Sequence, residues 1–202
     1  MKVRIHPTAD VSEKAVLGDG TQVWHQSQIR ENASLGKNCI VGKNVYIDFD
    51  VKIGDSCKIQ NNCSIYHGAS LGNGVFVGPH SVITNDLYPR AVNPDFSAKG
   101  AGDWHVSNTS VKDGAALGAG TILVCGVTIG KWAMTGSGSV VTKDVPDHGL
   151  VVGNPARVIG FVCSCGHKLQ LEKKNQERAE MTCTGCNASH AIPLSDFEKL
   201  RK

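Results

Sequence analysis

Aliphatic residues recur every six positions from Ile5 through Val11, Leu17, Val23, Ile29, Leu35, Val41, Ile47, Ile53, Ile59, Ile65, Leu71 and Val77 to Ile83, without a miss. Four positions after each stands a small or β-branched residue, among them Ala9, Thr21, Ser27, Ala33, Cys39, Val45, Cys57, Cys63 and Ser81. A period of six suits neither the 3.6-residue helix nor strand alternation. It suits short strands joined at tight corners and wound into a parallel β-helix, with the aliphatic and the small residue both pointing into a narrow prism. Glycine often follows the aliphatic, as at Gly36, Gly54 and Gly78, where it would supply the corner dihedrals. Three such hexads per turn place residues eighteen apart on one face, about 4.8 Å from each other.

The rhythm stops after Ile83 and resumes with Val111, Leu117, Leu123, Ile129, Thr135 and Val141. An unbroken register would put an aliphatic at position 89, where Pro89 stands. Asn85 to His105, with Tyr88, Arg90 and Trp104, is therefore expected as a long loop extruded from a corner, and its aromatics and its arginine favour a binding loop. Pro146 and Pro155 are expected to end regular structure after the last coil, closed by Val141 to Val145.

Composition shifts at Phe161, dividing a β-helix over residues 1–160 from an appendix over 161–202. Cys163, Cys165, Cys183 and Cys186 form two pairs flanking a hairpin-like stretch, the ligand arithmetic of a structural zinc site in a small ribbon. The first pair is one residue tighter than CxxC, and His167 is a possible substitute ligand. Leu194 to Lys202 reads as a short helix capped by Ser195. Cys39, Cys57 and Cys63 take the small inward position and read as packing, while Cys125 has no histidine in register to make it a nucleophile.

Met1 to Arg4 run straight into the first repeat, and no apolar run approaches a membrane span, so a cytoplasmic chain without a membrane partner is expected. A formal charge of +3 with no basic run argues against nucleic acid. Chemistry is expected around Asn62, Tyr66, His67, His80 and Asn85. A spacing of eighteen stacks His67 under Asn85 and Asn62 under His80, giving two polar ladders near the level where the loop leaves.

The segments KIQNNCSIYHGASLGNGVFVGPHSVITNDLYPRA, GAALGAGTILVCGVTIGKWAMTGSGSVVTKDVP and LVVGNPARVIG, with the repeats, resemble the left-handed β-helix acyltransferases. The similarity is greatest to the branch that N-acetylates nucleotide-linked 3-amino sugars, and it covers nearly all of residues 1–160. The resemblance implies an all-β left-handed helix, a homotrimer with active sites between subunits, and acetyl-CoA along the C-terminal coils. It places Gly120, Gly126 and Gly138 where the pantetheine approaches, and Lys143 and Arg157 at the CoA phosphates. A UDP- or dTDP-linked acceptor would meet the thioester near Asn85, with Arg90, Tyr66 and Asn62 as contacts. The amine attacks directly, without an acyl-enzyme; Asn85 orients it, and where a side chain serves as base His80 and His67 compete for that role, with His105 a more distant choice. The loop departs from the wider family in lacking a histidine before His105. O-acetylation of another small molecule is the alternative, and a γ-type carbonic anhydrase-like protein a more distant one, since His67 and His80 differ in hexad position and lack a third partner.

Overall fold

The computed structural model describes residues 2–100 and 102–200. Strands of two or three residues alternate with two-residue turns and stack into three parallel sheets, which form the faces of a triangular prism. The first face begins with Arg4–Ile5, the second with Asp10–Val11 and the third with Val16–Leu17. Partners within a face lie eighteen residues apart, as Ile47↔Ile65 and Ile65↔Ile83.

The six-residue aliphatics fill the interior. Ile47, Ile59, Ile65, Ile83, Leu117, Leu123 and Ile129 are fully buried, each stacked on its equivalent in the next coil. Ile5, in contrast, is 45% exposed, because the first coil has no neighbour beneath it. Cys39, Cys57 and Cys63 are buried at the inward corner, and each thiol donates to a glycine carbonyl of the next coil (Gly54, Gly72 and Gly78) at 3.0–3.1 Å. Thr135, the polar inward residue, shares a 2.7 Å hydrogen bond with Thr121 and accepts from Gly118 N–H.

The glycines that follow the aliphatics do a different job from the one expected. A Cβ at Gly78 would stand 2.6 Å from Ala119 N, so glycine there admits the next coil. The left-handed corner seat is two positions later, three after each aliphatic. It is held by Asn38, Asn44, Asp50, Asn62 and His80, with φ between 55° and 62°, and later by Gly114, Gly120 and Gly138.

Across the interruption the pairing jumps to Ile83↔Leu123, forty residues apart rather than eighteen, so twenty-two residues are extruded between the second and third faces. They form a finger closed by the bridges Asp86↔Val106 and Val92↔Ala98. Val145 bridges Ile129 and closes the last coil. Pro155 does not end regular structure: Gly149–Gly153 joins the first face and folds back on Ala156–Phe161 as an antiparallel hairpin.

A three-stranded antiparallel ribbon follows: Leu169–Lys174, Arg178–Cys183 and Ser189–Pro193. The terminal helix spans Leu194–Phe197. Its N-cap is Pro193, with no side-chain capping bond, so Ser195 lies inside the helix and is not its cap. Phe197 stacks on Phe161 with ring centroids 6.1 Å apart, seating the helix against the hairpin.

Candidate functional site

Register puts the expected polar ladders on two different corners. His67, Asn85, Cys125 and Lys143 follow one another up the corner between the second and third faces, because Ile65, Ile83, Leu123 and Val141 are successive partners two positions before them. Asn62 and His80 lie on the corner between the first and second faces, joined by a 3.4 Å contact from Asn62 Nδ2 to His80 Nε2. Gly120 and Gly138 continue that corner. The strand Val82–Ile83 separates His80 from Asn85, so within one chain they do not share a cavity.

His67 is held firmly. Its ring stacks on Phe49 of the coil below at 4.0 Å, and Nδ1 donates to the Phe49 carbonyl at 3.1 Å. That bond assigns the proton to Nδ1 and leaves the lone pair on Nε2. Its backbone N–H donates to Asp48 Oδ2 at 3.1 Å.

Asp48 is a buried carboxylate that inspection of the sequence did not single out. It also accepts from Arg30 Nη1 at 3.0 Å, Tyr46 Oη at 2.8 Å and Phe49 N–H at 2.9 Å. Burial pushes its pKa upward, but the N–H groups of His67 and Phe49, the tyrosine hydroxyl and the guanidinium outweigh that and hold it below the usual carboxylate value. The visible signal was Arg30, Asp48 and Tyr66 at a spacing of eighteen.

The base of the finger borders an open cavity of 430 Å³ lined by Asn85, Asp86, Arg90, Lys99, Gly100 and Trp104. Arg90 and Asn85 are thus brought together as expected, with Lys99 added as a second cation and Trp104 as an apolar wall. Tyr66 lies outside this cavity and packs on Tyr46 with ring centroids 5.6 Å apart.

Gly120 and Gly138 occupy left-handed seats with φ of 67° and 72°; a Cβ on Gly138 would meet nothing within 4 Å, and one on Gly120 only Gly138, at 3.9 Å. Gly126, with φ 87°, lies on the other corner, where its nearest neighbour would be Ser107 at 3.6 Å. Lys143 and Arg157 line one cavity of 260 Å³ at the C-terminal end of the prism.

The sulfurs of Cys163, Cys165, Cys183 and Cys186 all lie within 4.8 Å of one another, with Cys163–Cys186 at 3.7 Å and Cys165–Cys183 at 3.4 Å. Tetrahedral ligands about 2.3 Å from a zinc ion stand roughly 3.8 Å apart, so this donor set fits such an ion. The backbone N–H of Cys186 and of Gly185 point at Cys183 and hold its pKa down to about 6. His167 stands beside Cys165 at 3.5 Å but is not part of the convergent group. His190 Nε2 lies 3.2 Å from Cys163 Sγ. Among the described residues, no histidine joins a metal-competent cluster, and no helix is long and apolar enough to cross a membrane.

Comparison with known proteins follows the same lines. Residues 14–48 and 50–85 match the model described as bacterial transferase hexapeptide (six repeats), and residues 32–67 the hexapeptide repeat of succinyl-transferase. The dTDP-3-amino-3,6-dideoxy-alpha-D-galactopyranose 3-N-acetyltransferase of Aneurinibacillus thermoaerophilus is 54% identical over 63 residues, covering 31% of this chain and 33% of that protein. The galactoside O-acetyltransferase of Lactococcus lactis subsp. lactis (strain IL1403) is 38% identical over 88 residues, 42% of each chain. The chain thus spans less than half the length of either relative. Among solved structures, LpxA of Bacteroides fragilis 9343, a UDP-N-acetylglucosamine acyltransferase, superposes with a TM-score of 0.63 at 16% identity over 79% of this chain and 61% of that one. That likeness establishes the left-handed β-helix fold and carries no substrate.

Proposed function

We propose that this chain, a left-handed β-helix built on transferase hexapeptide repeats, transfers an acetyl group from acetyl-CoA to the amine of a nucleotide-linked 3-amino sugar. The observation that carries the reading is one corner that holds, in vertical order, a histidine with a free Nε2, an asparagine lining a cavity that carries two cations and one carboxylate, and a lysine at the C-terminal end. An acceptor with a diphosphate finds Arg90 and Lys99 in that cavity, and Trp104 as an apolar wall. The relative named for a dTDP-linked 3-amino sugar makes dTDP the first nucleotide to try, with UDP second.

Chemically, Asn85 orients the amine, and His67 Nε2 accepts its proton as nitrogen attacks the thioester carbonyl. The thiolate of CoA leaves, and no acyl-enzyme forms. Cys125, the thiol nearest in register, is buried, and its backbone N–H is bound to Thr84 Oγ1 at 3.1 Å, which suits a wall better than a nucleophile.

A homotrimer completes this reading. From the third coil onward the outward residues of the second face are Tyr46, Ser64, Val82, Ile122 and Val140, whereas those of the third face, after Val16, are Ser34, Lys52, Ser70, Ser110 and Thr128. Three prisms that turn the apolar second face toward a common axis bring the His80 corner of one chain against the Asn85 corner of the next. Asn62, His80, Gly120 and Gly138 then face the reacting groups across a cleft, and Tyr66 lies near its edge. The four cysteines hold a structural zinc that folds the ribbon over residues 161–202, a separate unit from the coil. None of the eight cysteines is joined in a disulfide, which suits the reducing cytoplasm.

The test is release of free thiol from acetyl-CoA with dTDP- and UDP-linked 3-amino sugars, run beside simple sugars that offer only hydroxyls. Asn85→Ala and His67→Ala are expected to lower the rate at least tenfold, and His80→Ala to lower it with the trimer intact. Wild-type turnover in Asn85→Ala, or transfer to hydroxyls alone, would remove the assignment.

A further inference from the structure

Lys143 and Arg157 do not close their cavity alone. The same 260 Å³ space is lined by Lys199, just beyond the terminal helix, together with an apolar floor of Val141, Val145 and Val151. We propose that Lys199, delivered by the cysteine-bearing ribbon, is the third cation of a phosphate-binding cradle, so that the appended unit completes the cosubstrate site. The inference rests on the acyl-CoA reading above and adds to it a binding residue from outside the coil.

Three features place Lys199 there. Phe197 stacks on Phe161 at the end of the hairpin, which fixes the helix against the last coil. Leu194 N–H donates to the Glu177 carbonyl at 2.8 Å, tying the helix to the ribbon. His148 and Val162 exchange two 2.8 Å bonds, which anchor the start of the ribbon to the corner after the last coil. Lys199 therefore reaches the coil through a packed path rather than as a free tail.

Charge supports a polyanion. Lys143, Arg157 and Lys199 face the cavity with Asp144, whose Oδ1 is engaged by Thr128 N–H at 2.7 Å. Lys199 Nζ is paired with Asp196 at 2.6 Å, but this is an exposed contact within one helical turn, the kind a phosphate displaces with little loss. An apolar floor under a cationic rim suits a phosphorylated nucleoside, which is the far end of CoA.

The experiment is calorimetric titration of the full zinc-loaded chain with CoA, dephospho-CoA and pantetheine. Lys199→Ala is expected to weaken CoA about tenfold and pantetheine not at all, with bound zinc unchanged. Comparison with dephospho-CoA tells which phosphate is held: a loss confined to CoA assigns the 3′-phosphate, and an equal loss for both assigns the diphosphate. Lys199→Arg should retain most of the affinity. Should Lys199→Ala bind CoA as the wild type does, the cradle is refuted while the acyltransferase reading stands. Should the wild type not bind CoA, both fall together.

Discussion

The coil and the ribbon solve the same problem with different means. Each coil of the prism buries a ring of aliphatics from its three faces against the rings above and below, and Ile47, Ile59, Ile65 and Ile83 lose all contact with water. The ribbon buries little more than Leu169, Ala179, Met181 and Ile192, and most of its strand Leu169–Lys174 is exposed. A unit so short rarely holds itself together by apolar burial. The four convergent cysteines stand where a core would otherwise be needed. The coil is therefore stable by stacking, and the ribbon is expected to be stable by a metal held among its four cysteines.

The largest effect that could break this contrast is Cys183→Ser. With one ligand lost, the ribbon is expected to lose its bound zinc and its amide protection through Leu169–Lys174 and Arg178–Cys183, while strands of the coil keep theirs. Hydrogen exchange with and without a chelator reads this directly. Equal protection in the two samples would mean that the ribbon folds without metal. In the coil the corresponding blow is Ile65→Ala, a fully buried site with neighbours above and below. It should cost about 3–4 kcal/mol in denaturant melts. Ile5→Ala, at the open end, should cost less than about 1 kcal/mol. Similar losses at the two positions would contradict stacking as the source of stability.

Much of this was legible because a six-residue period has one structural meaning. The inward rows, the break at Pro89 and the four cysteines all follow from spacing, and the loop emerges where the rhythm fails. The left-handed seat is written in the sequence too, as Asn38, Asn44 and Asn62 three places after an aliphatic, while the glycines directly after the aliphatics serve close approach between coils. What spacing could not give is which ladders meet. Asn85 and His80 are five residues apart in sequence yet on different corners, a matter of where the two-residue strand between them points. The placing of Lys199 depends on Phe161 meeting Phe197, two residues linked by no repeat.

Asp48 offers a finer test, since it lies under the corner proposed as reactive and ties Arg30, Tyr46 and the backbone of Phe49 and His67 together. Its pKa is depressed in the folded chain, so its contribution is complete above the unfolded value near 3.9 and is lost as pH falls through the lower folded value. Asp48→Asn should therefore cost about 1–2 kcal/mol at neutral pH, and the gap from wild type should close in strongly acid solution. A gap that persists unchanged in acid would show that shape rather than charge makes Asp48 matter.

The smallest expected effect lies back on the ribbon. Lys173 pairs with Glu180 across two strands at 3.2 Å, and Arg178 reaches the same carboxylate at 3.5 Å. The lysine side chain is 74% exposed, so water and salt screen the pair and holding a long side chain in place offsets much of the attraction. Lys173→Ala should then change the zinc-loaded ribbon by less than about 0.5 kcal/mol, with no difference between low and high salt. A loss above about 1 kcal/mol that fades with salt would mean that charges on the ribbon's surface hold its strands together. Such a loss would set a surface contribution beside that of the metal, whose own share the chelator comparison measures.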